Sequence, residues 1–296
     1  MSADLSVIAE KVEAGERLSA ADVRSVVSTT DLLALGTLAD DARRRRHGNR
    51  VTFVRVAEVP VEFGGADRIP PSAGEVRILG RAPDLDTAVR RVRALVERAG
   101  DTPVTGFALD ELDELSGQDH SQLTRTLTAL RESGLALIAE VRAERLDDWH
   151  RALAAADAVG LAIARITVGA GDRSRHTLFG SIAALGAAAR RIHALAPLPR
   201  AIGTELSTGY DDVRQVALAR LLVDNIASIQ VDWSLYGPKL AQVALTFGAD
   251  DVDAVSPIDS LELGPRRAPL EEIRRNIRAA ALVPVQRNGR FEALER

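Results

Sequence analysis

From Val51 onward, short runs rich in β-branched residues alternate with longer stretches whose apolar positions recur every three or four residues. This is the pattern of buried strands followed by amphipathic helices. It predicts strands at 51–63, 75–79, 104–109, 136–141, 162–168, 200–206 and 226–233. Helices are predicted between them at 85–98, 120–132, 146–158, 180–195 and 211–225, followed by an apolar helix over 238–247 and a last one over 269–281. The segment before Val51 reads as helical: Ser19 can cap a turn starting at Ala20, Leu32, Leu35 and Leu38 recur at helical spacing, and Gly48 stops the run.

Repeated βα steps without a long linker predict a single parallel (β/α) TIM-type barrel, because each right-handed crossover returns the next strand beside the last. The expected layout is an N-terminal helical extension over 1–48, the barrel over 49–250, and a C-terminal helical tail over 251–296 packed on it, all one structural domain. The alternative is an open doubly wound sheet. Against it, Gly64-Gly65 and Gly169-Ala170-Gly171 lack the spacing of a dinucleotide or Walker phosphate loop and read as turns.

Composition narrows the function classes. With 296 residues and 46% apolar content the chain can bury a large core. A net charge of -4, with no basic stripe interleaved with aromatics, argues against nucleic acid as a partner. No apolar run reaches the roughly 18 residues of a bilayer span, and the start lacks a basic region followed by an apolar stretch, so the expectation is a cytoplasmic protein. There is no cysteine, which removes thiolate nucleophiles, Cys-ligated zinc and ordinary iron–sulfur ligation together. His47, His120, His150, His176 and His193 show no metal-ligand spacing, and no metal is expected. The tetrad Arg43, Arg44, Arg45 and Arg46 falls in a last helical turn, where cations suit the negative end of the helix dipole; anion binding is the alternative.

In a barrel, inward residues near the C-terminal strand ends line the mouth. The polar candidates are Arg77, Asp110, Glu140, Arg142, Arg165, Thr167, Glu205, Gln230 and Asp232. Period two puts Arg165 and Thr167 on one strand face, and a buried cation needs a partner, so Arg165 is expected to pair with Glu140 or Glu205. The candidate ligand-binding set is Arg77, Arg165, Thr167, Gln230, Trp233 and Lys239; Trp233 would stack on a ring or fill the core, and Lys239 would meet an anion after Gly237-Pro238. Glu140, Glu205 and Asp232 are the candidate acid–base carboxylates. The acidic runs 110–114 and 250–253 read as solvated helix starts.

Several stretches carry a family pattern: 8–18 (IAEKVEAGERL), 31–36 (DLLALG), 47–53 (HGNRVTF), 217–226 (ALARLLVDNI) and 237–251 (GPKLAQVALTFGADD). They resemble the radical S-adenosylmethionine (radical SAM) enzymes of futalosine-route menaquinone synthesis and deazaflavin synthesis: aminofutalosine synthase (MqnE), dehypoxanthine futalosine cyclase (MqnC) and the FO synthase subunit CofH. The resemblance implies a barrel whose first strand leads into a Cys-x3-Cys-x2-Cys loop holding an iron–sulfur cluster. Here that strand runs into Val59-Pro60-Val61-Glu62-Phe63, and too little chain lies between Val56 and Glu75 for the loop and its following helix. Where the family has a Gly-Gly turn after the second strand, this chain has Gly80-Arg81. Reductive cleavage of a sulfonium needs a low-potential donor that no standard side chain supplies. The reading is therefore a cluster-free relative, using neither cluster nor S-adenosylmethionine. It would serve that pathway as a non-radical partner or scaffold for an intact radical homologue, or bind a small carboxylate or nucleoside. The alternative is a non-radical acid–base enzyme.

Overall fold

The computed structural model describes residues 5–62, 69–169, 175–200, 209–259 and 268–294. Three helices open the chain: α1 (Ser6–Ala14), α2 (Ala20–Ser28) and α3 (Leu32–His47). Ser19 and Asp22 form a reciprocal capping box on α2, satisfying two donors the first turn leaves open. Eight parallel strands follow: β1 (Arg50–Pro60), β2 (Glu75–Leu79), β3 (Val104–Ala108), β4 (Leu137–Arg142), β5 (Ile163–Val168), β6 (Ile192–Pro197), β7 (Ser228–Asp232) and β8 (Asp251–Val255). Each pairs with the next, and β1 pairs with both β8 and β2, so the ring closes. Closure removes the edges of the eight-stranded ring, and strands such as β3 are buried along their whole length.

The helices form the outer layer: α4 (Leu85–Ala99), α5 (Leu109–Leu115), α6 (His120–Glu132), α7 (Trp149–Ala158), α8 (Arg175–Ala184), α9 (Tyr210–Leu222), α10 (Trp233–Leu245) and α11 (Pro269–Ala279). Helix α4 shows why they form. Asp84 caps its first turn through the Thr87 amide, and Ala88, Val92 and Leu95 bury one stripe against the strands. No helix of the described residues is long and apolar enough to cross a membrane.

Three features depart from the sequence expectation. The sixth strand of the ring is Ile192–Pro197, inside the expected helix 180–195, while the expected strand 200–206 lies, past Arg200, outside the described residues: α8 ends at Ala184, a 3-10 turn spans Gly186–Arg191, and an Ala-rich run with high helix propensity is held extended between β5 and β7. The ring does not stop at residue 250, because β8 lies in the expected tail. That tail also adds a strand, β9 (Val283–Arg287), beside the first half of β1. Strand β1 is long enough to serve two partners: Arg50–Val54 pair with β9 and Val56–Pro60 with β2, so β9 and β2 lie end to end along it. The Gly289 amide donates to the Gly74 carbonyl and the Gly74 amide to the Arg55 carbonyl, stitching the junction. Gly74 is required there, since a Cβ would come within 2.8 Å of the Arg287 carbonyl oxygen.

Candidate functional site

Strand β8 carries Asp251 and Asp253 into the barrel, and Ala254, at a φ of 56°, sits at a shift in its register with β1. Both aspartates are fully buried, so each must be matched. Asp253 receives a bidentate pair from Arg77 at 2.8 and 2.9 Å, and Arg165 reaches it from across the barrel. Arg77 Nε also donates to Glu75 at 2.8 Å, and Glu75 accepts from the Thr105 hydroxyl at 2.6 Å. Asp251 takes two hydrogen bonds from Arg287 of β9, both 2.7 Å, and further ones from Thr52 and Gln230. Phe291 lies under the Arg287 guanidinium and stacks on His193 at 4.5 Å. The barrel is thus filled by three arginines, each paired to carboxylates.

Electrostatics follow from this geometry. Burial acts to raise the Asp253 carboxyl, but the Arg77 and Arg165 charges outweigh it and hold the group well below the usual carboxylate range. Burial likewise opposes the Arg77 charge, and Asp253 and Glu75 overcome it, so the guanidinium stays firmly protonated. His193 is pushed down by burial and then by Arg287, which favours neutral imidazole.

The sequence candidates meet different fates. Arg77, Arg165 and Gln230 converge inside the barrel, spent on Asp253 and Asp251. Arg165 lies 3.7 Å from Glu140, one of its two expected partners, but its close partner is Asp253; Glu205, the other, lies outside the described residues. Thr167 is buried with its hydroxyl directed to the Val141 carbonyl at 3.5 Å. Asp232 caps α10, accepting from the Ser234 and Leu235 amides, and Trp233, half-buried, packs on the core. Lys239 is exposed on α10, past the break at Gly237. Asp110 and Asp113 do begin a helix, yet they are buried and bonded to Arg142 and Arg151, and Asp250 is buried against Arg220. The aspartates of both runs are therefore internal counter-charges, and only Glu114 is exposed as the solvated-helix reading expects.

At the mouth, a cavity of about 300 Å³ opens beside the C-terminal ends of β1 and β8, lined by Glu58, Ser234, Ser256 and Ile258. Glu58 stands opposite Arg77 in the β1–β2 register. Its side chain keeps contact with water, but desolvation in the mouth raises its carboxyl above the ordinary value, helped by Asp232 and Asp253 and opposed by Arg77. Sequence reading passed over Glu58; counting period two from Thr52 would have brought it to the mouth.

The C-terminal third, residues 198–296, matches the family model for the CofH/MqnC C-terminal region. Aminodeoxyfutalosine synthase of Thermus thermophilus is 29% identical, with 96% of this chain and 94% of that protein covered. That alignment spans 353 positions against the 296 residues here, so the relative carries residues with no counterpart in this chain. Cyclic dehypoxanthine futalosine synthase of Streptomyces coelicolor is 24% identical, covering 99% of this chain and 89% of that protein. The chain is a cysteine-free relative of these synthases. The fold of this relative matches that of methylornithine synthase, with a TM-score of 0.66 at 16% identity, covering 94% of this chain and 97% of that one.

The iron–sulfur cluster that the resemblance implies does not fit the donors present. The chain offers no thiolate. In the β1–β2 connection, the described residues 61–62 and 69–74 form only bends and turns. Arg81, which the resemblance sets against the family's second glycine, is exposed and paired with Glu114 at 2.8 Å.

Proposed function

We propose that this relative is a non-radical member of the futalosine-type group, acting as a partner of an intact synthase or as a binder of its small-molecule ligands. The observation that carries this reading is the barrel interior: Arg77, Arg165 and Arg287 are neutralised by Glu75, Asp253 and Asp251. Cations that would otherwise hold a substrate carboxylate are committed to the protein itself, and a buried pair gives up its counter-charge only at a cost of several kcal/mol. A ligand would therefore meet the outer mouth, at Glu58, Ser234 and Ser256, not the depth of the barrel. Leu79, Leu235 and Ile258, at or just beyond the ends of β2, β7 and β8, are large apolar side chains left exposed, which suits contact with a second protein. Light scattering of the chain mixed with an intact aminodeoxyfutalosine synthase tests the partnership. A complex that Leu235→Glu and Ile258→Glu weaken supports it. Absence of a complex, together with no shift in melting temperature on adding a pathway carboxylate or nucleoside, overturns it.

A second reading, a non-radical acid–base enzyme, is favoured by Glu58, whose raised carboxyl sits in a cavity. Turnover of a mouth-bound substrate abolished by Glu58→Gln would establish it; unchanged turnover in that variant would remove it.

A further inference from the structure

Outside the barrel, a second cavity of about 350 Å³ lies between the N-terminal helices α1–α3 and the barrel helices α8 and α9. Much of its wall is apolar, from Val12, Leu18, Val23 and Leu221. The rest of the wall is polar and mixed in charge: Glu16 and Asp224 stand among Arg17, Arg45, Arg46 and Arg220, of which Arg45 and Arg46 come from the arginine tetrad at the end of α3 and Arg220 is paired with Asp250. The structure divides that tetrad. Arg43 and Arg44 are bound to Asp40, as intrahelical pairs should be. Arg45 and Arg46 turn into the cavity.

Neither of the second pair is matched as the barrel arginines are. Arg46 donates to the main-chain carbonyls of Asp224 and Ile226, at 3.2 and 3.3 Å, not to a carboxylate. Arg45 has no hydrogen-bond or ion-pair partner among the described residues. Its guanidinium lies over the C-terminal cap of α1, where Gly15 has a φ of 73°; a Cβ there would collide with it at 2.0 Å. Gly15 thus leaves room for the guanidinium at the rim of the cavity, where Arg45 itself stays exposed to water. Burial and then the neighbouring Arg45 charge disfavour the Arg46 cation, with Asp224 and Asp250 opposing them. Arg17, also on the wall and exposed, is 3.5 Å from Asp224, whose charge also favours the Arg46 cation.

We infer that this flank cavity is a binding site for an organic anion, an apolar body ending in a phosphate or carboxylate, whose charge is received by Arg45 and Arg46. An apolar wall with a few convergent polar groups is the usual composition of a small-molecule site. An anion would give the two guanidinium groups the direct charged hydrogen-bond partner that no carboxylate among the described residues provides. The site is separate from the barrel mouth, and the inference stands independently of the non-radical reading.

Isothermal titration calorimetry at low salt tests it, using phenyl phosphate as the probe, with benzoate and inorganic phosphate beside it. The unaltered chain should bind phenyl phosphate at least tenfold tighter than inorganic phosphate. Arg45→Ala should weaken that binding at least tenfold with an unchanged melting temperature, and Glu58→Gln at the mouth should leave it unchanged. Benzoate binding with the same Arg45 dependence would show that the site accepts carboxylates as well. No binding of phenyl phosphate, equal affinity for inorganic phosphate, full binding by Arg45→Ala, or loss only in Glu58→Gln would each overturn the inference.

Discussion

The barrel interior and the flank cavity both gather arginines, buried in the one and at a partly open wall in the other, and they handle the charge oppositely. Inside the barrel each guanidinium faces a carboxylate on another strand, so the cations hold the fold together. On the flank, Arg46 leans on carbonyls and Arg45 folds over a glycine. A cation in a cavity is thus a sign of a ligand only after its internal counter-charges have been counted. By that count the arginines that first suggested a ligand mouth, Arg77 and Arg165, are structural.

Substitutions that unbalance one region should leave the other unaffected. The largest effect is expected from Asp253→Asn, which strips Arg77 and Arg165 of the carboxylate they share and should cost about 3–5 kcal/mol or more in denaturant unfolding. Asp251→Asn should cost somewhat less, because Arg287 keeps the Asn288 carbonyl, and should loosen β9 first, visible as faster amide exchange over 283–287. Acid should expose the same pair. The Asp253 carboxyl is held low in the folded chain, so its stabilisation is complete above the ordinary aspartate range near ~4 and disappears as pH falls toward the folded value. Stability should therefore decline below about pH 4, and less steeply in Asp253→Asn. On the flank, Arg45→Ala should change unfolding free energy by no more than about 0.5 kcal/mol. The smallest effect, of opposite sign, is expected at the mouth: Glu58 is raised, its ionised form is disfavoured by folding, and Glu58→Gln should slightly raise the melting temperature at neutral pH.

The alternation of strands and helices was legible because β2 to β5 and β7 are apolar runs bounded by turn residues, and the closed barrel followed from it. The strands that escaped detection had physical reasons to do so. Strand β6 is built of Ala and Leu, whose local preference is helical, and only its neighbours keep it extended. Strand β8 places aspartates where a strand buried on both faces should be apolar, so 251–253 imitates a solvated acidic turn. Its aspartates make sense only once Arg77, Arg165 and Arg287 converge from three other strands, and no spacing along the chain reports that convergence. The same blindness hid the true partner of Arg165, although Glu140 does stand nearby.

Ion pairs fill a barrel whose relatives are synthases of the futalosine route, and our proposal is that this chain, having no thiolates, starts no radical reaction alone. Anaerobic reconstitution with iron, sulfide and a strong reductant, followed by assay for 5′-deoxyadenosine from S-adenosylmethionine, tests it directly. The account predicts a colourless protein and no nucleoside above the protein-free control. A brown protein that releases 5′-deoxyadenosine in proportion to its bound iron would contradict it.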